Sequence, residues 1–176
     1  MPGKDFNGTN SDIRLIGMMK QATDALFKVR QKELKKFGIT PEQSGALAVI
    51  YALEGQATAA ELARILFRKP NSMTILLRRM EKQGMIKKTP DKRQKNIIRL
   101  SLTPKGRQAH MRSTKVNSAG RIFSKLSETR QRQLWTSLEK IRDQALKSLG
   151  LDVQSYIRFF EQLHTLDAKV PPKRHN

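Results

Sequence analysis

Cysteine is absent from this chain of 176 residues, and acidic residues, aromatic residues and long apolar runs are scarce. Without cysteine the chain has no disulfide, no thiolate metal site, no thiol nucleophile and no thiol redox switch. No apolar run approaches the roughly 18 residues of a membrane span, and the polar N-terminus lacks the apolar core of a signal peptide. We therefore expect a soluble cytoplasmic protein.

The residue combinations that enzymes use are also missing. His110, His164 and His175 lie far apart in the sequence and lack the spacing of metal ligands. No pair of carboxylates stands out, and the Lys-Gly pair at residues 105–106 lacks the rest of a phosphate-binding loop. We therefore predict a protein that is not an enzyme and that uses no cofactor.

Positive charge is the strongest bulk feature, because 35 Lys and Arg stand against 15 Asp and Glu, a formal net charge of +20. This sign and size indicate a polyanionic partner, nucleic acid first and an anionic membrane surface second. The charge is concentrated in residues 56–112, which hold fifteen basic and three acidic residues. Only ten residues are Phe, Trp or Tyr. This scarcity weakens the case for RNA, since single strands are bound largely by stacking on aromatic rings.

The first part of the chain has the pattern of two helices. Residues 1–11 are polar and predicted to be disordered, and residues 12–37 have the spacing of a long helix that Gly38 ends. Its narrow apolar stripe consists of Leu15, Met19, Ala22, Leu26 and Val29. The sequence TPEQ at residues 40–43 supplies a capping box and a proline for the next helix. That helix is apolar on most sides, which predicts a buried central helix.

The middle of the chain predicts a helix-turn-helix followed by a hairpin. A second capping box at residues 58–61 begins a short helix, and Pro70 separates it from the next helix, which Gly84 closes. Strand patterns follow at residues 85–89 and 97–102, with a basic loop between them. Two helices joined by a tight turn and followed by a basic hairpin form a winged helix.

Two long helices and a short one are predicted after the hairpin. The first begins at Thr103 and runs to about Leu126. Ser127 caps the second, in which Leu134, Leu138, Ile141 and Ala145 recur at spacings of four and three. A short amphipathic helix is predicted over residues 152–163, followed by a flexible tail at residues 164–176.

On these residues the chain resembles the MarR family of transcriptional regulators. The matching stretches are TPEQ at 40–43, ELARIL at 61–66, LLRRMEKQGMI at 76–86, DKR at 91–93 and LSLTPKG at 100–106. The resemblance implies an obligate homodimer whose terminal helices intertwine and whose two winged helices bind a palindromic DNA site. Many members release DNA when a small, often aromatic, ligand binds. The resemblance also implies that Asp91 is structural and pairs with an arginine to hold the wing.

Three features depart from the family pattern. Ile75 stands where members often carry a polar or basic residue. The sequence KPNS at 69–72 is a less usual start for the recognition helix. The chain also continues past the usual last helix, from about Leu149 onward.

These patterns predict a mainly α fold with a small β-hairpin wing, a winged helix-turn-helix flanked by N- and C-terminal dimerisation helices. Residues 12–37 are the N-terminal dimerisation helix, residues 40–103 the DNA-binding domain and residues 104–163 the C-terminal dimerisation helices. The apolar stripes of the first and last helices belong either to an intramolecular core or to a dimer interface. We favour the interface, because the small winged helix cannot cover both stripes and a two-fold DNA site needs a two-fold protein.

The helix after Pro70 is apolar on one side, and its other side is polar and positive, with Glu81 as its only acid. Such a helix enters the major groove with its N-terminal residues at the base edges. The candidate DNA-binding residues are Lys69, Asn71, Ser72, Thr74, Ile75, Arg78 and Arg79 on this helix, and Lys88, Lys92, Arg93 and Lys95 in the wing. The alternative is a solvated helix face and a merely soluble loop.

The sequence does not decide whether each candidate residue contacts a base, a phosphate or no part of the DNA. Asn71 and Ser72 can donate to and accept from base edges, and Thr74 and Ile75 suit a thymine methyl. Arg78 or Arg79 suits guanine or phosphate. Arg93 is the candidate for the minor groove, where a narrow groove attracts arginine.

An effector cavity lined by Met19 and Tyr51 is a further hypothesis, although core packing is the favoured explanation for each residue taken alone. The sequence as a whole favours a sequence-specific, dimeric DNA-binding regulator, a repressor tuned by a small molecule. The alternative is an architectural protein that coats DNA with little sequence specificity, held by counterion release. The amide and hydroxyl groups at residues 71–74 favour the regulator, because a pure phosphate binder has no use for them.

Overall fold

The computed structural model describes residues 10–154, 156, 157, 159 and 161. The elements, in chain order, are α1 (Ser11–Leu34), a 3-10 turn (Lys35–Phe37), α2 (Pro41–Ala52), α3 (Ala59–Ile65), α4 (Pro70–Lys82), β1 (Ile86–Pro90), β2 (Ile98–Leu102), α5 (Pro104–Thr114), α6 (Ser118–Phe123) and α7 (Glu128–Ser148). After Gly150 the helical residues are Val153, Gln154, Tyr156, Ile157, Phe159 and Glu161. Most of the end predicted to be disordered, residues 1–9, and the predicted tail, residues 164–176, lie outside the described residues.

Side-chain caps fix the starts of the helices around the core. Thr40 Oγ1 accepts from the Gln43 N–H (3.2 Å), and the Gln43 side chain accepts from the Thr40 N–H (2.9 Å). Thr58 and Glu61 form the same box before α3. Gly38, with φ of 67°, closes the 3-10 turn in a conformation that glycine adopts without a Cβ clash. The predicted capping boxes are confirmed.

Helix α2 is the centre of the core. It packs against α1, α3, α4, α5 and β2, and residues on all its sides are buried, as the sequence predicts. Its neighbours contribute the buried side chains of Leu34, Leu62, Met73, Leu77, Met80 and Leu100. Each such aliphatic side chain contributes roughly 1.5–3 kcal/mol when fully buried, so this cluster holds α3 and α4 in place.

The two strands form an antiparallel hairpin in which Ile86 lies opposite Leu102. The hairpin is docked on the body of the domain through Ala57, which precedes α3. The Leu100 N–H donates to the Ala57 carbonyl (2.8 Å). The described fold is therefore the mainly helical winged helix-turn-helix that the sequence predicts, with each strand beginning one residue later than predicted and β1 also ending one residue later.

A close contact joins the start of α5 to the base of the hairpin. Thr103 caps α5 by accepting from the Gly106 N–H (3.1 Å), and the Thr103 N–H donates to the Met85 carbonyl oxygen (3.1 Å). A Cβ at Gly106 would lie 1.9 Å from that same oxygen. The glycine of the Lys-Gly pair thus permits two backbone segments to touch.

The single helix predicted over residues 103–126 is wrong, because the chain leaves the helix between α5 and α6. The break is held by a long-range contact. The Glu33 carboxylate on α1 accepts from the Ser118 N–H (3.0 Å) and from the Arg121 side chain, and Val116 in the break packs against the core. A continuous helix would bond the Ser118 N–H internally and remove this link between α1 and α6.

Beyond the break, the predicted start of the last long helix is confirmed, since Ser127 caps α7. None of the helices in the described part of the chain combines the length and the apolar character that a membrane crossing needs.

Candidate nucleic-acid interface

Helix α4 presents one face to the core and the opposite face to solvent. Met73, Leu77 and Met80 are buried. Because each residue turns the helix by about 100°, most of the positions between them point outward, while Leu76 packs against the core. All the candidates on and beside this helix are exposed: Lys69, Asn71, Ser72, Thr74, Ile75, Arg78 and Arg79.

The outward face of α4 offers several kinds of contact. Ile75 is 58% exposed, an apolar side chain among polar neighbours. The Thr74 hydroxyl donates to the Pro70 carbonyl (3.0 Å), so its proton serves the helix while its methyl group remains available. Asn71 and Ser72 lie in the first turn. This face can therefore offer amide, hydroxyl, methyl and guanidinium groups to one partner.

The Asp91 carboxylate organises the wing. Its Oδ1 accepts from the backbone N–H groups of Arg93 (2.8 Å) and Gln94 (3.0 Å), and its Oδ2 accepts from Arg99 Nε (2.7 Å). Arg99 also donates to the Gln56 carbonyl (2.6 Å), which ties the wing to the loop between α2 and α3. The arginine that the resemblance leads us to expect beside Asp91 is therefore Arg99.

These hydrogen bonds favour the charged form of Asp91. The Arg99 side chain, followed by the backbone amides of Gln94 and Arg93, lowers the pKa of Asp91 from 3.8 to about 2. A carboxyl group with a depressed pKa in the folded state stabilises that state above its ordinary pKa and loses the effect as pH falls through the folded value.

We expect Asp91→Asn to lower the free energy of unfolding at neutral pH and to have less effect as pH falls from about 4 to about 2, because the wild-type side chain is then protonated too. The measurement is urea unfolding of both proteins from pH 2 to pH 7. Asp24→Asn, which removes an exposed carboxylate paired only with Lys20 on α1, is the control. A difference in the free energy of unfolding between Asp91→Asn and the wild type that stays constant over this range would contradict the prediction.

Arg93, Lys92 and Lys95 lie exposed at the tip of the wing. Lys88 differs from them, because its Nζ lies 2.7 Å from Glu81 Oε2 and its side chain is 32% exposed. The only acid of α4 is thus neutralised by a wing lysine. Lys88 joins α4 to β1, in addition to its predicted contact with a partner.

Arg68 lies beside this interface but was not among the DNA-binding residues predicted from the sequence. Its side chain is 48% exposed, and its ion pair with Glu42 is long at 3.7 Å, a type that contributes little. A shallow groove of about 400 Å³ next to it is lined by Ala59, Ala60, Ala63, Arg64, Arg68, Pro70 and Thr74. The depletion of acids in residues 56–112 was the signal that could have found Arg68.

The two candidate effector residues are not brought together. The Tyr51 ring contacts the His110 ring, with centroids 4.5 Å apart and planes tilted by 32°. It lines a cavity of about 390 Å³ with Ile50, Glu54, Gly55, Ser101, Leu102 and Arg107. Met19 lies instead on α1, where its side chain is 37% exposed.

The two long helices expose apolar stripes. On α1 the exposed large apolar residues are Ile13, Leu15, Ile16, Met18, Met19, Phe27 and Val29, and on α7 they are Leu134, Trp135, Leu138 and Ile141. Apolar surface of this extent on a single chain is typical of an interaction site.

In the part of the chain that the structure describes, no cluster of three or more His, Asp or Glu side chains is arranged to hold a metal ion. His110 is buried at the Tyr51 ring. His164 and His175 lie outside the described residues.

A short helix-turn-helix, an exposed second helix and a basic hairpin define a winged helix-turn-helix protein. Residues 37–95 match the sequence model of the MarR family. The winged-helix segment of this chain is therefore similar to the MarR family, and the predicted resemblance is confirmed.

Three known proteins illustrate the similarity. Over 97 residues the chain is 30% identical to the HTH-type transcriptional repressor MdtR of Bacillus subtilis, a match that covers 53% of this chain and 62% of MdtR. A mutant MarR from E. coli, crystallised with operator DNA, superposes with a TM-score of 0.68 at 19% identity and covers 79% of this chain and 99% of its own. The organohalide-sensing regulator RdhR gives a TM-score of 0.70 at 23% identity, covering 83% of this chain and 88% of its own.

Proposed function

We propose that the protein is a sequence-specific DNA-binding transcriptional regulator, a repressor that binds a palindromic operator as a homodimer. The observation that carries this proposal is the outward face of α4, which offers base-reading groups beside a wing whose shape Asp91 and Arg99 hold. Such a regulator acts in the cytoplasm, where its DNA is.

In this proposal α4 lies in the major groove with its first turn at the base edges. The Asn71 amide and the Ser72 hydroxyl bond to bases, and Ile75 and the Thr74 methyl contact thymine. Arg78 and Arg79, one turn further on, reach guanine or phosphate. Lys69, at the start of the helix, contacts the backbone.

The wing lies along the adjacent minor groove. Arg93 enters the groove, where the negative potential is strongest when the groove is narrow. Lys92 and Lys95 bond to phosphates, which position the protein without specifying sequence. Lys88 is paired with Glu81. It therefore supports DNA binding by fixing the distance between the wing and α4.

The apolar stripes of α1 and α7 form the proposed dimer interface, with a second copy of the chain as the partner. A two-fold dimer would place two α4 helices about 34–36 Å apart, one turn of DNA. A dimer that covers a promoter in this way blocks transcription. MdtR, one of the relatives of this chain, is named as a repressor.

A small molecule is proposed to release the DNA. RdhR has been crystallised with 2,4-dichlorophenol, and this chain has a partly open cavity beside Tyr51 with the Arg107 side chain at its wall. A ligand there would act by changing the spacing of the two α4 helices, since a shift of a few ångströms breaks the match to both half-sites. Met19 would take part only if a second chain brings it close.

Footprinting on the DNA upstream of the protein's own gene, with excess non-specific competitor, tests this proposal. A bounded and symmetric protected site is the expected result. Protection that spreads along the DNA, or that disappears under competitor at every genomic fragment, would instead support the architectural alternative that the +20 charge keeps open.

Two alanine variants separate the roles of wing and helix. We expect Arg93→Ala to weaken binding to all sequences and to reduce the slope of log affinity against log salt by about 1 per half-site. We expect Asn71→Ala to cost about 1–3 kcal/mol at the affected base and to change base preference there. The measurement is a binding titration on the operator and on its single-base variants at several salt concentrations.

The control for the wing is Gln94→Ala, which keeps the backbone amide that bonds to Asp91 and removes no charge. If both Arg93→Ala and Asn71→Ala bind every site like the wild type, the proposed DNA face is wrong.

A further inference from the structure

Tyr156 lies in the segment after Gly150, which follows α7. Its side chain is 2% exposed. A residue of this size becomes buried only where a surface is shaped to receive it. The surface in this case is the turn between α3 and α4.

Three contacts join Tyr156 to that turn. Its hydroxyl donates to the Arg64 carbonyl (3.2 Å), which also accepts from the Phe67 N–H (3.1 Å). Its ring stacks on the Phe67 ring with centroids 5.4 Å apart and planes at 21°. The Arg64 guanidinium carbon lies 5.5 Å from the centroid of the Tyr156 ring. One side chain therefore contacts the turn through a hydrogen bond, a ring stack and a cation–π pair.

The turn has a backbone conformation that needs such support. Phe67 has φ of 50°, in the left-handed region, where a bulky side chain is disfavoured. Such conformations persist where the surroundings hold them. Phe67 is followed after two residues by Pro70, the first residue of α4, so its φ sets the direction in which α4 leaves the turn.

The segment has a second anchor in the core. Phe159 is 6% exposed and belongs to the hydrophobic cluster that includes Leu62 and Leu77. Since Leu62 lies on α3 and Leu77 on α4, the segment is anchored in the same core as these two helices. Its position is thus tied to theirs.

We propose that Tyr156 is a positioning residue for α4: the segment after Gly150 holds the α3–α4 turn and so fixes the orientation of the helix that reads DNA. The structural half of this proposal stands on the contacts above, and its consequence for DNA rests on the proposed function. Affinity for the operator would then depend on a part of the chain that touches no DNA.

Hydrogen exchange of the full-length protein tests the structural half. The readout is the exchange rate of the amides of Phe67 and Arg68, whose acceptors are the carbonyls of Arg64 and Ala63. We expect exchange to be about tenfold faster in Tyr156→Leu, which removes hydroxyl and ring, through easier local opening. Tyr156→Phe keeps the ring and should give a smaller increase.

Binding titrations test the consequence. We expect Tyr156→Leu to bind the footprinted operator about five- to tenfold more weakly and non-specific DNA as the wild type does, because no phosphate contact changes. Tyr156→Phe should recover part of the loss. Val49→Ala, which truncates a buried side chain in α2, controls for a general loss of stability and should leave the ratio of the two affinities unchanged.

The outcomes separate the two proposals. A wild-type protein that prefers no DNA site would contradict the proposed function. The hydrogen-exchange result would then still test whether Tyr156 holds the α3–α4 turn. Unchanged exchange at Phe67 and Arg68 in Tyr156→Leu would overturn the positioning role whatever the DNA result. Faster exchange with an unchanged ratio of operator to non-specific affinity would also overturn it, because α4 would then not depend on the turn.

Discussion

Replacing Gly106 by alanine is expected to lower the free energy of unfolding by roughly 3 kcal/mol, as overpacking does where no relief is available. The new Cβ would lie 1.9 Å from the Met85 carbonyl oxygen and 2.9 Å from its carbon. Both atoms belong to the backbone, so no side-chain rotation can remove the clash. Either α5 or the base of the hairpin must move.

Movement is opposed on both sides of this contact. The Met85 carbonyl accepts from the Thr103 N–H, the Met85 N–H donates to the Met80 carbonyl (2.9 Å), and Thr103 caps the helix that contains Gly106. A shift of α5 would therefore break either its Thr103 cap or the backbone hydrogen bond from Thr103 to Met85. The damage would reach the wing, because β1 begins at the residue after Met85.

Urea unfolding measures the effect, and Gly45→Ala is the matched control. Gly45 lies inside α2, where a Cβ would meet only the Leu66 side chain at an ordinary 3.5 Å. Alanine there is expected to raise the free energy of unfolding by about 0.5–1 kcal/mol, the usual gain for a helix interior. Equal stability changes in the two variants would show that the close contact at Gly106 is not what constrains the residue.

The second large effect is expected from a charge on the exposed stripe of α7. We expect Leu138→Glu to leave a monomer of 20.1 kDa and to weaken operator binding by about 100-fold or more. In the proposed dimer two-fold symmetry would bury two unpaired carboxylates, each costing several kcal/mol. A monomer would also engage only one half-site at a time.

Sedimentation equilibrium and footprinting measure the two parts of this prediction. Thr136→Glu adds the same charge to the same helix. Because Thr136 is two residues from Leu138, its side chain points about 160° away from that of Leu138 around α7. That variant should sediment like the wild type. A Leu138→Glu protein that keeps the wild-type mass would exclude this stripe from the interface.

Local sequence signals predicted much of the fold. The caps at Thr40 and Thr58, the left-handed Gly38 and the proline at the start of α4 all act within four residues of their effect, and each is present. The buried side of α4 also follows from spacing alone. Such features are decided by backbone geometry and by the nearest side chains, so a single sequence is enough to read them.

Long-range contacts account for what the sequence did not reveal. The break before Ser118 depends on Glu33, which is 85 residues away. Tyr156 meets Arg64 across 92 residues, and the need for Gly106 comes from a carbonyl in another element. Helical periodicity carries no information on these partners, because it describes one element at a time.

The composition of β1 also affects the behaviour of the protein at high concentration. A two-stranded hairpin has two open edges. Part of the open edge of β2 is paired through the bridge between Leu100 and Ala57. Strand β1 reads IKKTP, with only its first residue buried. Lysines and proline are the residues that discourage an open strand from pairing with another chain. The lysines that make the wing basic therefore also oppose edge-to-edge aggregation, and apolar substitutions at Lys87 would weaken that protection.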